Sequence, residues 1–332
     1  MNSFHRRGMV GAGSAMFLVG TLTAVSATIA DYPVLGGQAV RYAVAAVILQ
    51  AVVRLTGARR QGSVRRPALR DWLLLAALAS TGLVAFNVCV VEATRDTSPA
   101  TIGTVIATVP IILALVGPLL EGRRPAPALV VSACVVAAGA ALANGLGGGS
   151  ARGLLFSLGA LGGEVCFSLL AVPLLPRLGA LRVSAHSATL AVPMLLAVGV
   201  VRDGTAVLRT PTSAELAGFA YLSVIVTTVA FLLWYGAIGR LGADRAGLFA
   251  GLIPISAVIT TVALGVDRPG AADLTGAALV AAGVAVGLRA RTAPREPAAI
   301  EPVAIEPAPR ESVVHEVVTC ESVPFEHARG SC

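Results

Sequence analysis

Few side chains in this chain can do chemistry, and most of those few stand inside apolar runs. Glu164 is foremost among them. It lies near the centre of the run Gly153–Leu174, about eleven residues or ~16 Å of helix from either end. A carboxylate at the middle of a bilayer costs a few kcal/mol unless it is paired, hydrated or protonated. Glu164 is therefore either a group that exchanges a proton or meets an amine, or a protonated acid hydrogen-bonded to a neighbouring helix. Arg41 stands five residues into the run Gly36–Leu55, where it serves as an interfacial anchor or as an anion contact. Asn87 lies in the outer third of Trp72–Val91 and suits interhelical bonding and substrate contact equally. Trp234 and Tyr235, near the end of Ala214–Ile238, read as an aromatic belt or as a cavity wall. His186, close to the end of its run, reads as interfacial.

Pro110 and Pro254 stand in the middle of apolar runs. Each is expected to break a mid-helix hydrogen bond. Freed carbonyls at membrane depth are tolerated where they line a cavity or find a local partner, so both are candidates for a gate or cavity wall. Gly103 with Ala107, and Gly247 with Gly251, give four-residue spacings of small residues that favour close helix packing.

These residues recur in register. Set Ala93–Ala143 over Ala237–Gly287, a shift of 144, and 14 of 51 positions are identical. About five would match by chance at about 10% background identity, so a fixed shift of this kind points to duplication. Gly103 falls on Gly247, Pro110 on Pro254, and Arg124-Pro125 on Arg268-Pro269.

The elements that must position these residues follow from composition. Hydrophobic residues make up 56% of the chain and charged residues 13%, about half the usual charged share of a soluble protein. Apolar blocks of ~20 residues match a hydrocarbon core of ~30 Å. The fold class expected is an all-α integral membrane protein of ten transmembrane helices, arranged as two inverted five-helix repeats. The spans are Met9–Ala30, Gly36–Leu55, Trp72–Val91, Pro99–Leu120, Ala126–Asn144, Gly153–Leu174, Ser184–Val201, Ala214–Ile238, Ala246–Leu264 and Ala271–Leu288. His5-Arg6-Arg7 ahead of the first run resembles a signal peptide, but the run is longer than a typical signal core and reads as an uncleaved first span.

Residues 1–8 then form a cytoplasmic N-terminus, 9–144 the first repeat, 145–152 a glycine-rich connector, 153–289 the second repeat and 290–332 a cytoplasmic tail. All 25 basic residues are arginine. With the N-terminus inside, 17 arginines fall on inner segments and five on outer loops, which places both termini in the cytoplasm. Five spans per half is an odd number, so the second half enters the membrane upside down. Inverted repeats place substrate sites at the midplane between the halves.

The net charge of +7 divides into +10 over residues 1–289 and −3 over the rest. The arginines lie in short loops and form no basic domain, which excludes a nucleic-acid partner. Five cysteines at irregular spacing suggest neither a metal site nor a disulfide framework, and no cofactor is implied. The connector Gly145–Ser150 lacks the Gly-Lys-Ser/Thr ending of a phosphate loop. In the tail, seven glutamates recur every five residues from Glu296 to Glu326 among prolines. That period fits neither helix nor strand and is expected to be disordered.

Several stretches resemble the EamA family of the drug/metabolite transporter superfamily. They are Val229–Tyr235, Arg240–Ala243, Arg245–Leu248 and Ile253–Val258 in the second half, and Ser98–Thr101, Val109-Pro110, Glu121 and Arg123 in the first. Gln38–Tyr42 resembles the start of the family's second helix; Leu18–Thr21 departs from its first-helix pattern by lacking a tryptophan. The resemblance implies a secondary transporter, often an exporter of amino acids, related metabolites or drugs, whose partners are a small-molecule substrate and the bilayer; a homodimer stays open. The alternatives are a non-transporting sensor or assembly factor, or an intramembrane enzyme. For the enzyme, no paired-carboxylate, Gly-x-Gly-Asp or His-Glu-x-x-His motif is present.

Overall fold

The computed structural model describes residues 3–26, 29, 31–59, 67–145, 149–263 and 270–289. The expectations for the tail 290–332, for Arg268-Pro269 and for positions 146–148 of the connector fall outside them. The described chain is helical, with no strand beyond one isolated bridge between Thr97 and Gly149.

The helices are α1 (Ser3–Ser26), α2 (Val34–Arg59), α3 (Leu69–Asp96), α4 (Pro99–Ile106), α5 (Val109–Leu120), α6 (Pro127–Asn144), α7 (Ala151–Leu169), α8 (Leu175–Asp203), α9 (Ser213–Leu241), α10 (Ala243–Gly247), α11 (Leu252–Ala263) and α12 (Ala271–Arg289). Eight helical segments among the described residues are long and apolar enough to cross a membrane, and α6 supplies a shorter apolar helix over Pro127–Ala143. This is a multi-pass membrane protein.

Local chemistry sets the starts. Ser98 caps α4 by accepting from the Thr101 N–H at 3.2 Å, with Pro99 in the first turn. Ser150 caps α7 in the same way, through the Gly153 N–H at 3.1 Å. Such caps satisfy donors that a helix leaves unpaired at its N-terminus.

Besides α7 ending at Leu169, which puts Glu164 five residues from its end and not at the centre of the expected span Gly153–Leu174, two features depart from the expected spans. The run Pro99–Leu120 is not one helix: α4 stops and α5 begins around Ala107-Thr108. Pro110 therefore does not sit mid-helix. It occupies the first turn of α5, where its missing N–H leaves nothing unpaired, and the break lies one turn ahead of it. Pro254 likewise follows a tight 3-10 turn, Leu248–Gly251, at the start of α11. Both breaks divide their spans into two short helices.

The second feature is a wider winding inside two spans. Ala79–Ala85 of α3 and Leu222–Val229 of α9 are π-helical. These segments begin 143 and end 144 positions apart, and the starts of α3 and α9 are also 144 apart.

Packing is pairwise. α2 and α8 run antiparallel: a Cβ at Gly36 would lie 1.7 Å from the Val207 carbonyl oxygen, while Gln50 reaches Thr189 at 3.2 Å. α6 and α12 meet through Gly139 and Gly276, each backed onto the other's backbone. The main core gathers α1, α2, α3, α5, α7, α8 and α9, and a smaller one joins α5, α6 and α12.

Candidate functional site

The largest buried aromatic cluster lies where α2, α3, α7, α8 and α9 converge. Phe167 of α7 stacks at 4.9 Å on Phe231 and at 5.0 Å on Tyr235, both of α9. Tyr42 of α2 closes the group, 6.3 Å from Phe231. Trp234 turns the other way and donates from Nε1 to the Ser168 hydroxyl of α7 at 3.3 Å. Trp234 is 2% exposed and Tyr235 0%. Belt residues present their rings at the membrane rim, whereas this pair is buried in the interior.

Against these rings sit the polar groups. Glu164 is half-buried and shares its helix face with buried Ala160, Leu161 and Phe167. Its remaining exposure therefore opens inward. It makes no hydrogen bond or ion pair with the described residues. Arg41, 7% exposed, donates from Nε to Thr227 Oγ1 at 2.5 Å and from Nη1 to Gln38 Oε1 at 3.3 Å, with Cζ 5.5 Å from the Tyr42 ring. No carboxylate pairs with it among the described residues. An anchor reaching for the interface would be exposed, so Arg41 is an interior cation. Arg41 and Glu164 both lie within electrostatic reach of the Tyr42 hydroxyl, and the Asn87 side chain lies beside it. Asn87 itself donates from Nδ2 to the Leu83 carbonyl at 2.6 Å. The Tyr235 hydroxyl, fully buried beside Ser187, lacks a hydrogen bond of normal geometry and also feels Glu164.

The irregular windings place these groups. In α9 the π-helical turn leaves carbonyls that Thr227 and Thr228 take up five residues back, at Leu222 and Ser223, each at 2.9 Å. Thr227 is thereby turned to receive Arg41. Widened turns of this kind recur at functional sites. On the opposite side, α3 and α7 touch backbone to backbone: a Cβ at Gly163 would lie 2.9 Å from the Thr81 carbonyl oxygen, and one at Gly82 2.8 Å from Phe167 Cα. Glycine at positions 82 and 163 lets α3 and α7 approach this closely.

Arg41, Asn87, Glu164, Trp234 and Tyr235 thus belong to one region. Pro110, Pro254, Gly103, Gly247 and Gly251 do not; they lie along the two broken spans. Gly247 backs onto Leu113, and Gly251 onto Val136 and Val280, while half-buried Gly103 lies in α4. His186 is also elsewhere, 5.1 Å from the Trp72 ring and 3.4 Å from Gln50 Nε2. Sequence reasoning missed Tyr42, Phe167, Ser187, Thr227 and Phe231. Tyr42 carried a signal, lying beside Arg41 in a polar break of an apolar run; the others look like ordinary core.

Residues 6–145 and 153–289 match the model of a family described as the EamA-like transporter family. The chain is also 24% identical over 260 residues to the uncharacterized transporter YetK of Bacillus subtilis (strain 168), covering 75% of this chain and 77% of that protein. One solved crystal structure superposes with a TM-score of 0.70 at 20% identity, over 84% of this chain and 96% of its own, a likeness of fold.

Proposed function

Since the chain belongs to the EamA-like transporter family and is a membrane transporter, we propose that it is a secondary exporter working by alternating access, with its substrate held between Arg41 and Glu164. The observation that carries this is the pair of opposite charges, neither of them ion-paired among the described residues, facing one tyrosine hydroxyl inside a membrane bundle. Buried charges are costly unless they are paired, and a substrate bearing a carboxylate and an amine supplies both missing partners. Amino acids and related metabolites have that chemistry, and the aromatic walls favour an apolar side chain. Glu164 releases or takes up a proton as the amine arrives or leaves, which couples export to the proton gradient.

The architecture that goes with this reading is ten spans in two inverted five-helix repeats, 9–144 and 153–289, joined by 145–152. Both termini and the tail 290–332 lie in the cytoplasm. Paired π-helical turns and paired breaks at a shift of 143–144 support the repeat. Pro110 and Pro254 mark the broken spans that flex between states. The family's members are transporters, which disfavours the sensor and enzyme readings.

The test is flux in proteoliposomes with Glu164→Gln, which keeps the shape and removes titration. Gradient-driven export is expected to fall to background while the protein stays folded and still exchanges substrate. Near-normal gradient-driven flux and affinity in this variant would refute the role of Glu164.

A further inference from the structure

Among the ion pairs of the described residues, which include Arg202 with Glu92 at 2.7 Å and Arg123 with Asp244 at 3.4 Å across the two halves, two built on helix-start acids occupy opposite ends of the bundle where the halves of the chain meet. At one end Arg177, in the first turn of α8, pairs through Nη1 with Asp71 Oδ1 at 2.9 Å, in the first turn of α3. At the other end Arg209, just before α9, pairs with Glu215 in the first turn of α9, donating from Nη2 to Oε1 and from Nη1 to Oε2 at 2.9 Å. Tyr32, just before α2, holds that arginine from the other half. Its hydroxyl donates to the Arg209 carbonyl at 2.8 Å, and its ring lies 4.9 Å from the guanidinium Cζ. The antiparallel packing of α2 on α8 puts these two clusters at opposite ends.

Asp71 and Glu215 are 144 positions apart and do the same local job. Each accepts from the backbone N–H three residues before it, Ala68 at 2.9 Å and Thr212 at 2.7 Å. That contact satisfies one backbone donor at each helix start. The arginines are surplus to it, and each cluster joins one half of the chain to the other. Exposure is matched as well: the acid side chains are 2% and 5% exposed, and both arginine side chains 38%. A fully exposed pair holds little, and a fully buried one is hard to open. Here the acid keeps its cap while the half-exposed arginine can leave into water, so the bond is reversible. Just past Arg177, Gly179 departs from the helix at φ 74°, giving that arm a hinge.

We propose that Asp71–Arg177 and Glu215–Arg209–Tyr32 are the two gate latches of the transport cycle, each closing one end of the bundle, released in alternation. This rests on the alternating-access reading above and adds to it the residues that hold each end shut.

The experiment uses a full-length chain with its five native cysteines replaced and one probe, Ser187→Cys, beside Tyr235. Labelling by a membrane-impermeant methanethiosulfonate is followed in right-side-out and inside-out vesicles. Asp71→Asn and Glu215→Gln retain the cap acceptor and remove the charge. Asp71→Asn is expected to raise labelling severalfold from one side only, and Glu215→Gln from the other side only; Arg177→Gln and Arg209→Gln should match them, and Arg177→Lys and Arg209→Lys should restore parental rates. A general loss of structure would instead raise labelling from both sides, which overturns the proposal. Parental labelling from each side that no variant alters overturns the latches and leaves alternating access standing. A probe that never reacts from either side overturns both.

Discussion

Arg41 is held in the interior by neutral partners alone: a threonine hydroxyl, a glutamine carbonyl and an aromatic face. These satisfy some of its donors but leave its charge without a carboxylate partner among the described residues, which is what the proposed substrate carboxylate would supply. A hydrogen bond to a charged group contributes about 1.5–3 kcal/mol, about ten- to a hundredfold in affinity. Arg41→Gln is therefore expected to weaken binding of carboxylate-bearing amino acids by that factor and to spare simple amines, as read by thermal-shift titration with both ligand classes. Equal loss for both would make Arg41 a packing residue. Charged residues in apolar runs are conspicuous, which is why Arg41 and Glu164 were legible in the sequence. Thr227 and Ser187 were not, because hydroxyls are common in membrane helices and bond their own backbone; only the π-helical turn and the neighbouring helix give them a role.

At the scale of the element, the site depends on how closely α3 and α7 approach. Gly162 and Gly163 are neighbours in α7 with opposite surroundings. A Cβ on Gly162 meets nothing within 4 Å, whereas one on Gly163 lies 2.9 Å from the Thr81 carbonyl oxygen and Phe86 Cβ. Gly162→Ala is expected to be neutral or to stabilise by up to ~1 kcal/mol through helix propensity. Gly163→Ala should destabilise by about 1–3 kcal/mol, since the backbone it meets cannot rotate away. Thermal unfolding of the two variants in the same detergent distinguishes them; equal melting temperatures would contradict the close approach. Helix existence was readable from apolar block length. The breaks ahead of Pro110 and Pro254 were readable only as a disturbance, because proline marks a fault without saying where the helix will yield.

At the scale of the molecule, orientation follows from arginine placement and from the odd number of spans proposed per half. Reporters inserted after Gly122, in an exposed turn between α5 and α6, and after Gly204, between α8 and α9, are expected to report cytoplasmic and external positions respectively. An alkaline phosphatase and fluorescent-protein pair reads each site independently. Matching locations for the two sites would contradict the inverted arrangement.

By itself the sequence determined that this is a helical, multi-pass membrane protein of a duplicated pattern; that it is a transporter came from its resemblance to a family. Those properties depend on composition, block length and periodic identity, all of which are local or additive along the chain. Eight long apolar helical segments and the family match agree with that reading. Only the tertiary structure decided that Trp234 and Tyr235 face inward, that Arg41 is buried rather than exposed, and that Tyr42 lies in one region with Arg41, Asn87 and Glu164. Each depends on which face of a helix meets which neighbour. In a bilayer both faces are apolar, so hydrophobic pattern alone cannot tell a lipid-facing side chain from a buried one. Glycine contacts and widened turns make that choice here.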